Sequence, residues 1–274
     1  MAKIDRLGWA AGLSFVSYGV RVGVRVNDAQ VLNRLSNHLP PGWKPASSPV
    51  VGKLFSLFVG GVGPRSSVRR FNLLYGDIEQ LSRTLDVGEV FETLESNIRL
   101  YVAERAQHRL FVHAGVVGWR GQAVIIPGRS FSGKTTLVAE MVKAGATYYS
   151  DEFAILDKRG HVHPFPKPLS IREEGSHKQH DHPVETLGGK SGVAPLPVKL
   201  VVCGEFKAGA SWRPRELSAG QGVLEMLSNT VAARLNPEKA LDTLQRVTSR
   251  ARVLKGARGE AREVAASILK VLDN

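Results

Sequence analysis

The sequence holds a single cysteine, Cys203, so no disulfide can form within the chain. That usage fits a reducing compartment, and a cytoplasmic location is expected. Cys203 lies inside the apolar run "VKLVVCGEF", which reads as a small core residue rather than a reactive thiol. No apolar run reaches the roughly 18 residues of a membrane span, so neither a span nor a membrane partner is expected. Behind Lys3 and Arg6, "LGWAAGLSFVSYGV" has the outline of a secretory leader. Gly, Ser and Tyr interrupt it, and it flows into "RVGVRV" with no clear cleavage site, so no leader is expected. There is no visible repeat and no low-complexity tract. A basic tail is missing too, because the net charge of +12 is spread along the whole chain. Nucleic-acid binders concentrate such charge on one arm or face, so nucleic acid is not an expected partner. An acidic partner or a phosphorylated ligand accounts for the excess equally well. The basic stretches "RAQHRLF" and "VTSRARVLKGARGEAR" read as solvated helix faces and ends.

What is present is an ordinary globular composition, 43% apolar and 23% charged, over 274 residues. That length permits one large domain or two small ones. Residues 1–108 read as an α+β region of unassigned role. Val20, Val22, Val24 and Val26 alternate with Arg21 and Arg25 in strand fashion. Asn27 can then cap a helix holding Val31, Leu32, Leu35 and Leu39, ending at Pro40-Pro41-Gly42. Further strands are predicted at 53–59 and 68–75, around "GGVGPRSS". A helix over about 88–107 follows from the spacing of Phe91, Leu94, Ile98, Tyr101 and Val102.

From Arg109 the pattern changes. "RLFVHAGVVGW" and "QAVIIPG" are apolar runs separated by "RG" and read as a buried hairpin. "GKTTLVAEMVKAG" reads as a helix stopping at Gly145. "TYYSDEFAILD" reads as strand, carboxylate pair, strand, and "KRGHVH" as a turn into a short strand. Residues 173–195 lack apolar period and read as a long exposed loop. "PVKLVVCGEF" returns as a strand, and the tail is predicted to be helical over about 218–234, 237–251 and 259–272.

Between the hairpin and the helix stands "GRSFSGKTT", which fits the phosphate-loop template G-x-x-x-x-G-K-[ST]. Its residues Gly128, Arg129, Ser130, Phe131, Ser132, Gly133, Lys134, Thr135 and Thr136 are candidates for holding a nucleotide. Glycines let such a loop wrap phosphates with inward N–H groups, and the following helix adds its positive end. Lys134 would reach the β and γ phosphates, and the Thr135 hydroxyl would go to Mg²⁺. The apolar strand before the loop and the helix after it are the setting the motif requires. Asp151 and Glu152 follow at the end of an apolar strand, suited to metal binding and proton abstraction. On an extended strand adjacent acids point to opposite sides, which predicts different jobs for the two. His113, within an apolar strand, is by itself more often structural than functional. His161 and His163, and the run "SHKQHDHP" at 176–183, lack a firm third and fourth ligand for a metal site.

The run "FVHAGVVGWRGQAVIIPGRSFSGKTTLVAEMVKAGATYYSDEFAILD" resembles the catalytic core of HPr kinase/phosphorylase and its relatives. That family in turn resembles ATP-dependent phosphoenolpyruvate carboxykinase in its nucleotide-binding fold. His113 stands fifteen positions before Gly128, and Asp151 sixteen after Thr135, both matching the family pattern. The resemblance covers about 105–172, is weaker over the tail and is absent over 1–100. It implies an α/β fold with a P-loop kinase core over 109–274, a small N-terminal α+β region and a helical C-terminal tail. It further implies ATP and Mg²⁺ as cofactors, Asp151 as the base for a hydroxyl, and His113 as support for that acid. Glu152 and Thr135 would hold the metal. Arg129 and Arg172 are candidates for neutralising the transferring phosphoryl group.

The chain also departs from the family. Glu152 stands where aspartate is usual, and "SIREEG" only partly echoes the downstream signature. There Ser170 replaces a glutamate while Arg172 keeps the arginine, which leaves the second metal contact and the phosphorolytic reaction open. The expected activity is transfer of the ATP γ-phosphate to a hydroxyl, a serine of a protein or peptide or a small hydroxyl-bearing molecule. A homo-oligomer is implied by the resemblance. The alternative is a nucleotide-sensing module that has lost turnover.

Overall fold

The computed structural model describes residues 3–61, 70–129, 132–172 and 179–273, with the backbone only at 3, 172, 179 and 180. The chain is mixed α/β and forms two compact units that divide between Gln107 and His108. No helix among the described residues is long and apolar enough to cross a membrane.

The first unit is built on a six-stranded sheet. Its strands are β1 (Ala11–Ser17), β2 (Val20–Val26), β3 (Lys44–Pro45), β4 (Lys53–Phe58), β5 (Asn72–Gly76) and β6 (Glu79–Thr84), in the order β3-β1-β2-β4-β5-β6. The apolar stretch after Arg6 is therefore the first strand of a hairpin with the valine strand. Its two-residue turn, Tyr18-Gly19, has φ of 48° and 82°, the left-handed pair that matches the twist of a tight hairpin. Helix α1 (Ala29–Leu35) is capped by Asp28, whose side chain accepts from the Gln30 N–H. Asn27, the expected cap, instead exchanges two hydrogen bonds with the backbone of Val59, at 2.8 and 3.0 Å. Burying an amide demands such partners, and the exposed Asp28 is left free to cap. Helix α2 (Val87–Arg105) buries Phe91, Leu94, Ile98 and Val102 at helical spacing.

The second unit has three layers. Its large sheet contains β7 (Leu110–Trp119), β8 (Gln122–Pro127), β9 (Thr147–Ser150), β10 (Phe153–Leu156), β11 (His161–His163), β14 (Leu196–Phe206), β15 (Arg215–Glu216) and β16 (Arg252–Arg258). The order is β11-β10-β7-β8-β14-β16-β15, with β9 also on β7 and β11 also on β14. Strands β8, β14 and β16 run parallel. Helices α3 (Lys134–Lys143) and α6 (Ala261–Lys270) cover one face, and α4 (Ala219–Leu227) and α5 (Pro237–Thr248) the other. Strand β14 sends Leu200 and Val202 to the first core and Val201 and Cys203 to the second. A strand buried on both faces needs a continuous apolar run, and "KLVVC" supplies it. Burial of Cys203 pushes its thiol up to about 12, which keeps it an inert core group.

Two expectations are corrected. In the mostly helical tail, β16 fills 252–258, the interval between two predicted helices, parallel to β14, and the first predicted helix is shorter, Ala219–Leu227. Val253 and Leu254 are buried on opposite faces there, and neighbouring basic residues conceal that alternation in the sequence. The stretch 173–195 also holds structure: β13 (Gln179–His182) pairs with β12 (Leu169–Arg172) as a separate two-stranded ribbon.

Gly115 in β7 lets α3 approach closely, since a Cβ there would stand 2.5 Å from Val138 Cγ2. Gly115→Ala is expected to destabilise the protein by about 1–3 kcal/mol, the usual cost of overpacking. Denaturant unfolding reads this directly, and an unchanged midpoint would mean that α3 withdraws freely.

Candidate functional site

The antiparallel register of the β7–β8 hairpin delivers the glycine-rich loop beside His113. Arg120 and Gly121, with φ of 48° and 78°, close the hairpin. At its other end the Gly128 N–H donates to the His113 carbonyl at 3.1 Å. Along β7, Val112, Ala114 and Val116 belong to the core beneath α4 and α5. Period two then puts His113 and Gly115 on the α3 side, where the loop lies.

Gly133 precedes α3 with φ of 77° and caps it without a side chain. The first turn of α3 carries no acidic residue. Its free amides and positive end therefore face the loop with no built-in anion. Lys134 is 9% exposed and donates to the Arg129 carbonyl at 2.6 Å, which folds its ammonium into the loop. Burial lowers the Lys134 pKa, and the charges of Asp151 and Glu152 oppose that shift. Arg129 and Thr136 are exposed, and Thr135 is half-buried. Ser130 and Phe131 lie outside the described residues, as does the side chain of Arg172.

Strands β9 and β10 both pair with β7, and Asp151 and Glu152 form the bend between them. The buried Ser150 hydroxyl accepts the N–H groups of Glu152 and Phe153, at 3.1 and 2.9 Å, and fixes the bend. The backbone is thus not extended at the pair. Contrary to the alternation expected from sequence, both carboxylates reach one ammonium. Lys167 Nζ lies 3.5 Å from Asp151 Oδ1 and 3.9 Å from Glu152 Oε2.

Asp151 is 5% exposed and ringed by donors. Thr135 donates its hydroxyl to Oδ2 at 3.1 Å, and the Ser170 N–H points to the same oxygen at 3.4 Å. The Tyr148 hydroxyl lies 3.0 Å from Oδ1 and 2.8 Å from the Lys167 carbonyl, its one proton shared between them. Burial first, and then the Asp151 charge, raise the Tyr148 pKa far above the ordinary tyrosine range. Tyr148 is therefore a permanent donor.

His113 packs on Phe153, ring centroids 4.8 Å apart, and Phe153 packs in turn on Phe165. Among the described residues the ring makes no hydrogen bond to Asp151. Burial, and then the charge of Lys134, lower its pKa.

Sequence reasoning missed four participants: Tyr148, Ser150, Lys167 and Arg258. Arg258 ends β16, is 2% exposed, and donates from one guanidinium nitrogen to the carbonyls of Ser132 and Gly133, at 3.1 and 3.0 Å. A Cβ on Gly133 would stand 2.6 Å from that nitrogen, so the second loop glycine is needed for contact as well as for φ. Lys167 had one signal, a lysine fixed between Pro166 and Pro168.

The oxygen set of Thr135, Asp151 and Glu152 suits a hard divalent cation such as Mg²⁺. Among the described residues no group of three or more His, Cys, Asp or Glu side chains could hold a metal. Any ion here would keep water or substrate oxygens in its shell, as Mg²⁺ commonly does. No family model matches the chain, and comparison with curated proteins finds no significant match.

The histidine generates a pH prediction. Its folded pKa is lowered, so below its ordinary value of 6.5 the unfolded chain takes up a proton more readily than the folded one. Stability from this group is present above that pH and is lost as pH falls. His113→Gln should therefore flatten the acid limb of melting temperature against pH. A parallel limb in the variant would show that His113 stays accessible to protons.

Proposed function

We propose that the second unit is an ATP-dependent phosphotransferase that moves the γ-phosphate onto a hydroxyl, on a P-loop kinase core of the HPr kinase/phosphorylase type. The observation that carries this reading is the 3.1 Å contact between Thr135 and Asp151. It joins the loop hydroxyl that would face a metal to an acid buried beside it. A hydroxyl acceptor needs a base at that place, because its proton must leave as the oxygen attacks. Hydrolysis would ask the same of a water, and the resemblance over residues 105–172 favours the hydroxyl.

In this reading the loop amides and Lys134 bind the phosphate chain. Thr135 and Glu152 would hold Mg²⁺, which would supply charge neutralisation. Asp151 takes the proton of the acceptor hydroxyl. That oxygen forms its bond to the γ-phosphorus as the bond to the bridging oxygen breaks, and ADP leaves. Arg258 holds the loop carbonyls outward so that the amides stay turned in. Catalysis is then mainly positioning and neutralisation. The acceptor is a protein, a peptide or a small hydroxyl-bearing molecule.

A second reading, a nucleotide sensor without turnover, is favoured by one observation. Ser170, at the position where the resembled family carries an acid, spends its hydroxyl on Asp181 at 2.9 Å.

Labelled ATP with a native lysate distinguishes the two. Transfer to a discrete species supports the kinase, and nucleotide binding without transfer supports the sensor. Asp151→Asn is expected to keep MgATP binding and to lose at least about a hundredfold in transfer, the usual worth of a general base. Retained transfer would overturn its assignment. Lys134→Ala should weaken both binding and transfer. Arg258→Met should weaken MgATP binding about tenfold, a change of roughly 1.4 kcal/mol. Isothermal titration measures it, and an unaltered affinity would show that the loop keeps its shape without the guanidinium.

A further inference from the structure

We propose that Lys167 is a built-in counter-ion of the Asp151–Glu152 pair, a positioning residue that a divalent metal must displace. This rests on the kinase reading only in taking those two acids as the metal's neighbours.

Two carboxylates brought to one bend repel each other unless a cation lies between them. Lys134 does not fill that place, because its ammonium is committed to the Arg129 carbonyl. The ammonium at both acids belongs to Lys167. It stands beside one oxygen of each acid, the ground a divalent ion bridging the pair would take. One ammonium and one divalent ion cannot share it, so each excludes the other.

The geometry shows which part of Lys167 is free to go. Its backbone is pinned on three counts. Proline on each side restricts the chain, the Lys167 N–H donates to the Phe165 carbonyl at 3.0 Å, and the Lys167 carbonyl accepts from Tyr148. The side chain is a four-carbon stem with a rotatable head. Its two shortest contacts are not to the acids at all. They are to the Ser170 hydroxyl at 3.0 Å and the Pro168 carbonyl at 3.3 Å. Ser170 in turn donates to Asp181 in β13. The ammonium is therefore shared between the carboxylate pair and Ser170 of the β12–β13 ribbon, and a turn of its stem toward the ribbon would clear the acids. The consequence is a site held together without metal, whose metal dependence is set by this lysine.

The test is Mn²⁺ titration of the full chain without nucleotide, following free Mn²⁺ by its paramagnetic resonance signal, with thermal melting in parallel. Lys167→Met should bind Mn²⁺ at least about tenfold more tightly than the parent chain, since a competing charge is gone. Its melting temperature should fall in chelator and recover with Mn²⁺, whereas the parent's should respond little. Lys167→Arg, which keeps the charge, should behave like the parent. Should the Met variant fold poorly, Lys167→Gln serves in its place. Equal Mn²⁺ affinity in parent and neutral variants, including no binding by either, would overturn the proposal. That result alongside intact transfer from ATP would leave the kinase reading standing. Absent transfer with the expected Mn²⁺ difference would leave the lysine's role standing and remove the kinase.

Discussion

A carboxylate buried away from water must find hydrogen-bond donors for its lone pairs or lose much of the free energy of folding. Asp151 meets that demand with the Thr135 hydroxyl, the Tyr148 hydroxyl, the Ser170 N–H and the Lys167 ammonium. Those donors come from α3, β9, β12 and the proline-flanked segment before it. The acid is thus the point at which four stretches of chain are held in mutual register. Parallel pairing of β8 with β14 places the loop, and antiparallel pairing of β9 and β10 with β7 places the acid. The contact between Thr135 and Asp151 is where the two placements meet.

Filling the hydrogen-bonding capacity of Asp151 also constrains its chemistry. A carboxylate oxygen that already faces two donors has no lone pair to offer an acceptor hydroxyl. One donor must withdraw before it can serve as a base. Tyr148 is buried and tied as well to the Lys167 carbonyl, and the Ser170 N–H belongs to a strand. Thr135 and Lys167 are the side chains able to turn away, and a bound divalent ion would draw on both, taking the threonine oxygen as ligand and repelling the ammonium. In the proposed reading metal binding and release of the base would be one event, which would link the state of Asp151 to nucleotide loading without any larger motion.

Much of this was legible because it is local. The loop motif, the alternating valines of β2, the doubly buried β14 and the helical spacing in α2 are carried by neighbouring residues whose period announces the element. The failures share a cause, which is that the deciding partner is far away in sequence. Asn27 reads as a cap until Val59 claims it. "RVLKGAR" reads as basic helix until β14 lies beside it. Asp151 and Glu152 are the exception, since the hydroxyl that bends the chain there belongs to their neighbour Ser150, and no period announces such a bend. Lys167 and Arg258 stand 16 and 107 residues beyond Asp151 in the numbering, and the prolines around Lys167 mark a fixed lysine without naming its partner.

Arg258 shows what such distant partners add. A glycine-rich loop is favourable for anions because its amides can turn inward, yet the same glycines let it relax otherwise. Removing that freedom takes a rigid group on the outer side. A planar guanidinium suits this better than a lysine, since one nitrogen spans two successive carbonyls while the plane stays fixed. It is held under the loop by β16, whose place in the sheet is set by parallel pairing with β14, a strand buried on both faces at its centre. The loop's geometry is therefore referred to the core and not to its own sequence. Arg258 and Lys167 divide the work accordingly. The arginine is fixed because it shapes backbone, and in the proposed reading the lysine would rotate because it must yield its place.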